Sequence, residues 1–88
     1  MKSIWKFPLA VKGLQDVEMP KGAEILCADT QAEVLCVWAV VDTDAEKEPR
    51  SIAVIGTGHE MGADNFKYIG TAQMKGGALI WHVFEVIA

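Results

Sequence analysis

The chain has almost none of the residues that build the commonest reactive sites. Histidine occurs twice, cysteine twice and serine twice, the serines being Ser3 and Ser51. Neither serine stands in the strained strand-to-helix turn of a hydrolase nucleophile. Cys27 and Cys36 have no further cysteine or histidine at zinc-ligand spacing, so no metal centre is expected. Basic charge is scarce as well. Eight Lys and Arg stand against 12 Asp and Glu, a net charge of −4, and they are scattered along the chain. Duplex nucleic acid, which attracts basic stripes, is therefore excluded as a partner. The longest apolar run, Val34 to Val41, has eight residues, where a membrane span takes about 20. Met-Lys-Ser-Ile-Trp-Lys at the start carries no apolar segment long enough for a signal peptide. These absences lead to the expectation of a cytosolic protein with no membrane contact and two reduced, buried thiols.

What the chain does have is apolar residues, 51% of an 88-residue sequence. One domain, 1–88, accounts for that length. A domain this small buries only about 60–65% of the surface of its unfolded chain. The apolar surplus points to a sheet covered on both faces or to a subunit interface, and a homo-oligomer, a dimer, is expected.

Five to seven short segments alternate between apolar and polar residues, and turn residues separate them. The pattern predicts an all-β fold, a small antiparallel sandwich or barrel-like sheet with little or no helix. Ile4 to Leu9 places Trp5, Phe7 and Leu9 on one face, and Pro8 sends this strand to an edge. Leu14 to Met19 places Val17 and Met19 together. Pro20-Lys21-Gly22 reads as a type I turn with proline at its second position. Ala23 to Ala28 and Glu33 to Val41 follow, the latter apolar without alternation and so covered on both sides. Four valines in Val34–Val41 favour a strand there over a buried helix. If the intervening turn is centred between Gln31 and Ala32, Cys27 and Cys36 face each other. Asp42 to Pro49 is a polar loop without the ligand pattern of a calcium site. Arg50 to Ile55, Lys67 to Met74 and Ala78 to Ile87 complete the strands, with short turns considered at Ala45–Glu48 and Gly62–Asn65.

One stretch resembles a site. In Gly56-Thr57-Gly58-His59-Glu60-Met61-Gly62, glycines flank Thr57 directly after an apolar strand and let backbone N–H groups converge on an anion. Thr57, Gly58 and His59 are the candidate ligand contacts, with Arg50 as charged helper. Arg50 opens the strand that ends at this loop, roughly 20 Å away at about 3.3 Å per residue. It joins the site only from a neighbouring subunit or across a bent sheet. The spacing departs from the dinucleotide fingerprint and from the P-loop, and a glycine turn that merely shapes a hairpin is the competing reading. Trp5 beside Lys6 is a further candidate contact, for stacking or for gripping a protein. No catalytic residue is assigned. His82, on an apolar strand between Trp81 and Val83, reads as a satisfied strand histidine, with a small hydrolase using His59 or His82 as the enzymatic alternative.

Taken in order, Trp-Lys-Phe-Pro-Leu (5–9), Met-Pro-Lys-Gly-Ala (19–23), Leu-Cys-Val-Trp-Ala-Val-Val-Asp (35–42), Gly-Thr-Gly-His (56–59), Tyr-Ile-Gly-Thr (68–71) and His-Val-Phe-Glu (82–85) resemble a family of small, uncharacterised bacteriophage- and prophage-encoded proteins that share a domain of unknown function. Family members tend to carry proline after Gly-Thr-Gly-His, where this chain has Glu60-Met61-Gly62. The resemblance implies no catalytic residue and no cofactor. It implies a phage accessory protein in the host bacterial cytoplasm. Such a protein would bind a nucleotide-like signal or a host defence protein stoichiometrically and so interfere with bacterial defence. A small virion or assembly component is the alternative.

Overall fold

Period-two alternation carries through into seven strands: β1 (Lys2–Pro8), β2 (Leu14–Pro20), β3 (Glu24–Gln31), β4 (Val34–Asp42), β5 (Lys47–Gly56), β6 (Asn65–Met74) and β7 (Leu79–Ile87). The computed structural model describes residues 1–62 and 64–87. Its only helical piece among the described residues is a 3-10 turn at Lys75–Gly77. All strand pairings are antiparallel, and they form a three-stranded sheet in the order β1-β4-β3 and a four-stranded sheet in the order β2-β5-β7-β6. Leu35, Val37, Ala39 and Val41 of β4 face Ile52, Val54 and Val83 of the other sheet in one buried core, which Met19 and Ala72 complete.

The sandwich closes along one side. There β3 and β6, edge strands of different sheets, approach until a Cβ on Gly70 would lie 3.0 Å from the backbone N and O of Ala28. Only a residue without a side chain permits that distance. Thr30 Oγ1 donates to the carbonyl of Gln73 at 3.1 Å, and the Lys75 N–H donates to Glu33 Oε1 at 2.8 Å, so the two hairpin tips are tied as well. The opposite side, edged by β1 and β2, stays open.

Several expectations need correction. The β2–β3 turn runs one residue later than expected: the Ala23 N–H donates to the Pro20 carbonyl at 3.1 Å, and Gly22 takes the third position with φ +79°. This is a type II turn, which requires a positive φ at that position. The β3–β4 hairpin pairs Gln31 with Val34, so its two-residue turn is Ala32-Glu33 with φ of 49° and 63°. Cys27 accordingly faces Trp38, and Cys36 faces Asp29. Both thiols are free, but Cys27 is exposed rather than buried, because the register shift between Ile25 and Cys27 brings it to the solvent face. The expected polar loop shortens to residues 43–46, since β5 begins at Lys47 and runs through Pro49. The turn considered at Gly62–Asn65 includes Ala63, outside the described residues.

One topological fact positions the candidate site. β5 and β6 both run antiparallel to β7, hence parallel to each other with β7 between them. Parallel strands need a crossover, so the connection after Gly56, which pairs with Trp81, must cross β7 to reach Asn65, which pairs with Ile87. Thr57, His59 and Met61 line a cavity of about 190 Å³ with Ile55, His82 and Phe84, residues on the outward face of the four-stranded sheet. The longest irregular stretch of the sequence is thus a strap over that face.

Candidate functional site

Beneath the strap, four polar side chains form an unbroken hydrogen-bonded chain. His82 faces Thr71 across the β7–β6 ladder, and alternation turns both outward. Thr57 Oγ1 lies 2.7 Å from His82 Nε2, His82 Nδ1 lies 3.2 Å from Thr71 Oγ1, and Thr71 Oγ1 lies 2.6 Å from the Tyr68 hydroxyl. The register shift between Tyr68 and Gly70 inserts one extra residue into β6. Such a bulge re-aims the neighbouring side chains, and here Tyr68 and Thr71, three apart, share the outward face.

The chemistry of this chain follows from its proton count. A neutral imidazole has one donor and one acceptor, and each hydroxyl has one proton. In one arrangement protons run from Tyr68 through Thr71 to His82, whose Nε2–H donates to Thr57. The Thr57 O–H is then left to a ligand. In the reverse arrangement the Tyr68 O–H is left free. Either end can present a donor without breaking a bond. Among the described residues no carboxylate orients His82, unlike the imidazole of a hydrolytic triad.

Aromatic surface adjoins the polar chain. Phe66 and Tyr68 each meet Phe84 edge-on at 5.6 Å between ring centroids, and Tyr68 is 59% exposed. A second cavity, of about 360 Å³, opens between the strap and the β1–β2 loop, lined by Leu14, Ala53, Met61 and Phe66 among others.

The residues expected at the site separate. Thr57 heads the polar chain, and Gly58 stands beside it, exposed, with φ +86° and open space around its Cα. A β-branched side chain there would be strained, so Gly58→Val costs stability as well as any contact. His59 lines the same cavity but stands outside the polar chain: its ring sits 2.9 Å from where a Cβ of Gly56 would be and meets Trp81 edge-on at 6.5 Å. The Trp81 Nε1 is buried and has no hydrogen-bond partner among the described residues.

Arg50 is engaged elsewhere. Its Nε and Nη2 both donate to the Glu85 carboxylate, the latter at 3.0 Å, and Nη1 donates to the Ala23 carbonyl at 2.8 Å. The Glu85 hydrogen bond raises the guanidinium pKa above its ordinary value. This bidentate pair joins β5 to β7 and anchors the β2–β3 turn within its own chain. Trp5 packs half-buried against the core with Phe7, ring centroids 6.4 Å apart, on the three-stranded sheet and apart from the polar chain. Among the described residues no cluster of metal-ligating side chains occurs, and no helix is long and apolar enough to cross a membrane.

Thr71 and Tyr68 were not singled out as site residues, although a signal existed. Thr57, Tyr68 with Thr71, and His82 belong to three of the short motifs, at 56–59, 68–71 and 82–85, and the sheet brings all three together. A family model described as Domain of unknown function (DUF7352) matches residues 1–88. The chain belongs to this family. No curated protein and no solved structure matches it. The matched residues take in both sheets of the sandwich and the strap between β5 and β6.

Proposed function

We propose that this chain is a non-enzymatic binding protein whose ligand sits on the outward face of the four-stranded sheet, under and beside the strap. One observation carries the reading: the chain Thr57–His82–Thr71–Tyr68 lies against the Phe66–Tyr68–Phe84 rings. Rings stack on aromatic faces, and hydroxyl or phosphate oxygens take adaptable donors. That pairing of chemistries suits a nucleotide-type ligand. Catalysis is the weaker reading, because both His82 nitrogens are already held by threonine hydroxyls. The resemblance to phage- and prophage-encoded proteins supports a reading in which the binder acts in the cytoplasm of an infected bacterium and withholds a host signal from defence.

A second reading, an assembly or interaction component, is favoured by exposed apolar side chains such as Ile4, Leu14 and Leu26. Native mass spectrometry of protein purified from infected cells separates the two. A retained small molecule supports the first reading when Thr57→Val and His82→Ala each weaken its binding at least about tenfold, ~1.4 kcal/mol, without lowering the melting temperature. Ligand-free protein that co-purifies with particles refutes it and supports the second.

A further inference from the structure

We propose that the open side of the sandwich is a homodimer interface, in which β1 of each copy pairs antiparallel with β2 of the other about a two-fold axis parallel to the strands. The backbone shows which groups are free to do so. The Leu9 N–H donates to Leu35 O at 2.8 Å and the Thr43 N–H to Met1 O at 2.9 Å, so the odd-numbered residues of β1 bond toward β4. In an antiparallel ladder the alternate residues point their N–H and C=O the other way. Lys2, Ile4 and Lys6 therefore face the open edge. On β2 the Val54 N–H donates to Gly13 O at 2.9 Å and the Lys21 N–H to Glu46 O at 2.6 Å, which leaves Leu14, Asp16 and Glu18 facing outward. Pro8 and Pro20, which have no N–H, end the two edges.

Charge and direction select the pairing. The exposed side chains are Lys2, Ile4 and Lys6 on one edge and Leu14, Asp16 and Glu18 on the other. β1 and β2 lie on the same side of the sandwich and, joined by a short loop, run in opposite directions. A two-fold axis along the strands sets β1 against β2 of the second copy in both layers, antiparallel, with matching pleat. With Lys2 opposite Glu18, Ile4 opposite Asp16 and Lys6 opposite Leu14, each lysine has a carboxylate directly or diagonally beside it. Ile4 and Leu14, 59% and 61% exposed, become diagonal neighbours. The other two-fold arrangement, β1 on β1 and β2 on β2, gathers lysines along one seam and carboxylates along the other, which destabilises it.

Closure follows as well. Each layer of the dimer would be one continuous sheet of seven strands, three from one copy and four from the other. Its outer edges, β3 and β6, already close on each other within each copy at Gly70 and Ala28. No open edge remains to extend the assembly, so pairing stops at two copies rather than growing into a fibre.

Light scattering on the full chain in the micromolar range should give twice the 9.6 kDa monomer mass. The pair Lys2→Glu and Lys6→Glu, and separately Asp16→Lys and Glu18→Lys, should each raise the dimer dissociation constant at least about tenfold, ~1.4 kcal/mol. Combining all four changes restores opposite charges across the same seams and should restore the dimer. Hydrogen exchange gives a readout independent of mutation: the amides of Ile4, Lys6, Asp16 and Glu18 should be protected in the wild type and exchange freely in the two-residue variants. A monomeric wild type, a dimer indifferent to both charge reversals, a four-change variant that stays monomeric, or fast exchange at those amides overturns the proposal.

Discussion

At the scale of single residues, the clearest demand is at Gly70. Its would-be Cβ meets Ala28 backbone atoms, which cannot swing aside as a flexible side chain does. Gly70→Ala should force β3 and β6 apart and cost about 1–3 kcal/mol, as overpacking does. Thermal melting would register this as a drop of roughly 4–8 °C per kcal/mol for a domain of this size. Glu85 makes a comparable demand for a different reason. Its removal leaves the Arg50 guanidinium, only 18% exposed at the side chain, without its anion between two strands. Glu85→Ala should cost about 2–4 kcal/mol, whereas replacing both partners by apolar residues should cost much less. Chemical denaturation of the single and double variants checks the asymmetry. Neither effect was legible in the sequence, since Gly70 read as one residue within a strand and Arg50 as the charged helper of a ligand site. A close backbone approach and an ion pair 35 positions apart exist only once strands are paired.

At the scale of elements, apolar alternation was enough to place the strands, because period two is a local property. The inward faces of β1, β2 and β7 follow it: Trp5, Phe7, Val17, Met19, Trp81 and Val83 all pack on or within the core. Turn centres were less legible. Type I′ geometry at Ala32-Glu33 uses no glycine or asparagine, so the usual signal for a two-residue hairpin is missing, and with it the register that separates Cys27 from Cys36. The β4–β5 turn carries a titratable clasp. Asp42 accepts the Asp44 N–H at 3.1 Å and lies 3.5 Å from the Met1 amino group, and these, the Asp44 bond foremost, hold its carboxyl below the usual range. A folded-state pKa below the unfolded one means that the stability gained is present above the ordinary carboxylate range and is lost as pH falls through the lowered value. Melting temperature against pH should therefore decline less steeply on the acid side for Asp42→Asn than for the wild type.

At the scale of the whole molecule, the strap and the open side have one origin. Both follow from strand order: β7 lies between β5 and β6, so their connection crosses over it, and β1 and β2 are left as the edges away from the β3–β6 contact. The crossover yields the cavity at His82. The unsealed pair leaves backbone donors and acceptors along β1 and β2, where the 51% apolar content of the chain had already suggested an interface without saying where. Composition can announce surplus apolar surface, but only topology puts Lys2 and Lys6 on the same side as Asp16 and Glu18. If those edges join two copies, unfolding is coupled to dissociation, and the melting temperature must rise with protein concentration by mass action. A monomer shows no such dependence. Wild-type melts over a hundredfold range of concentration should shift upward, while Lys2→Glu with Lys6→Glu should melt lower than the wild type at each concentration within it. Added salt should narrow the wild-type shift, because exposed ion pairs along the two seams are screened, whereas a dimer held only by Ile4, Leu14 and their apolar neighbours would keep it.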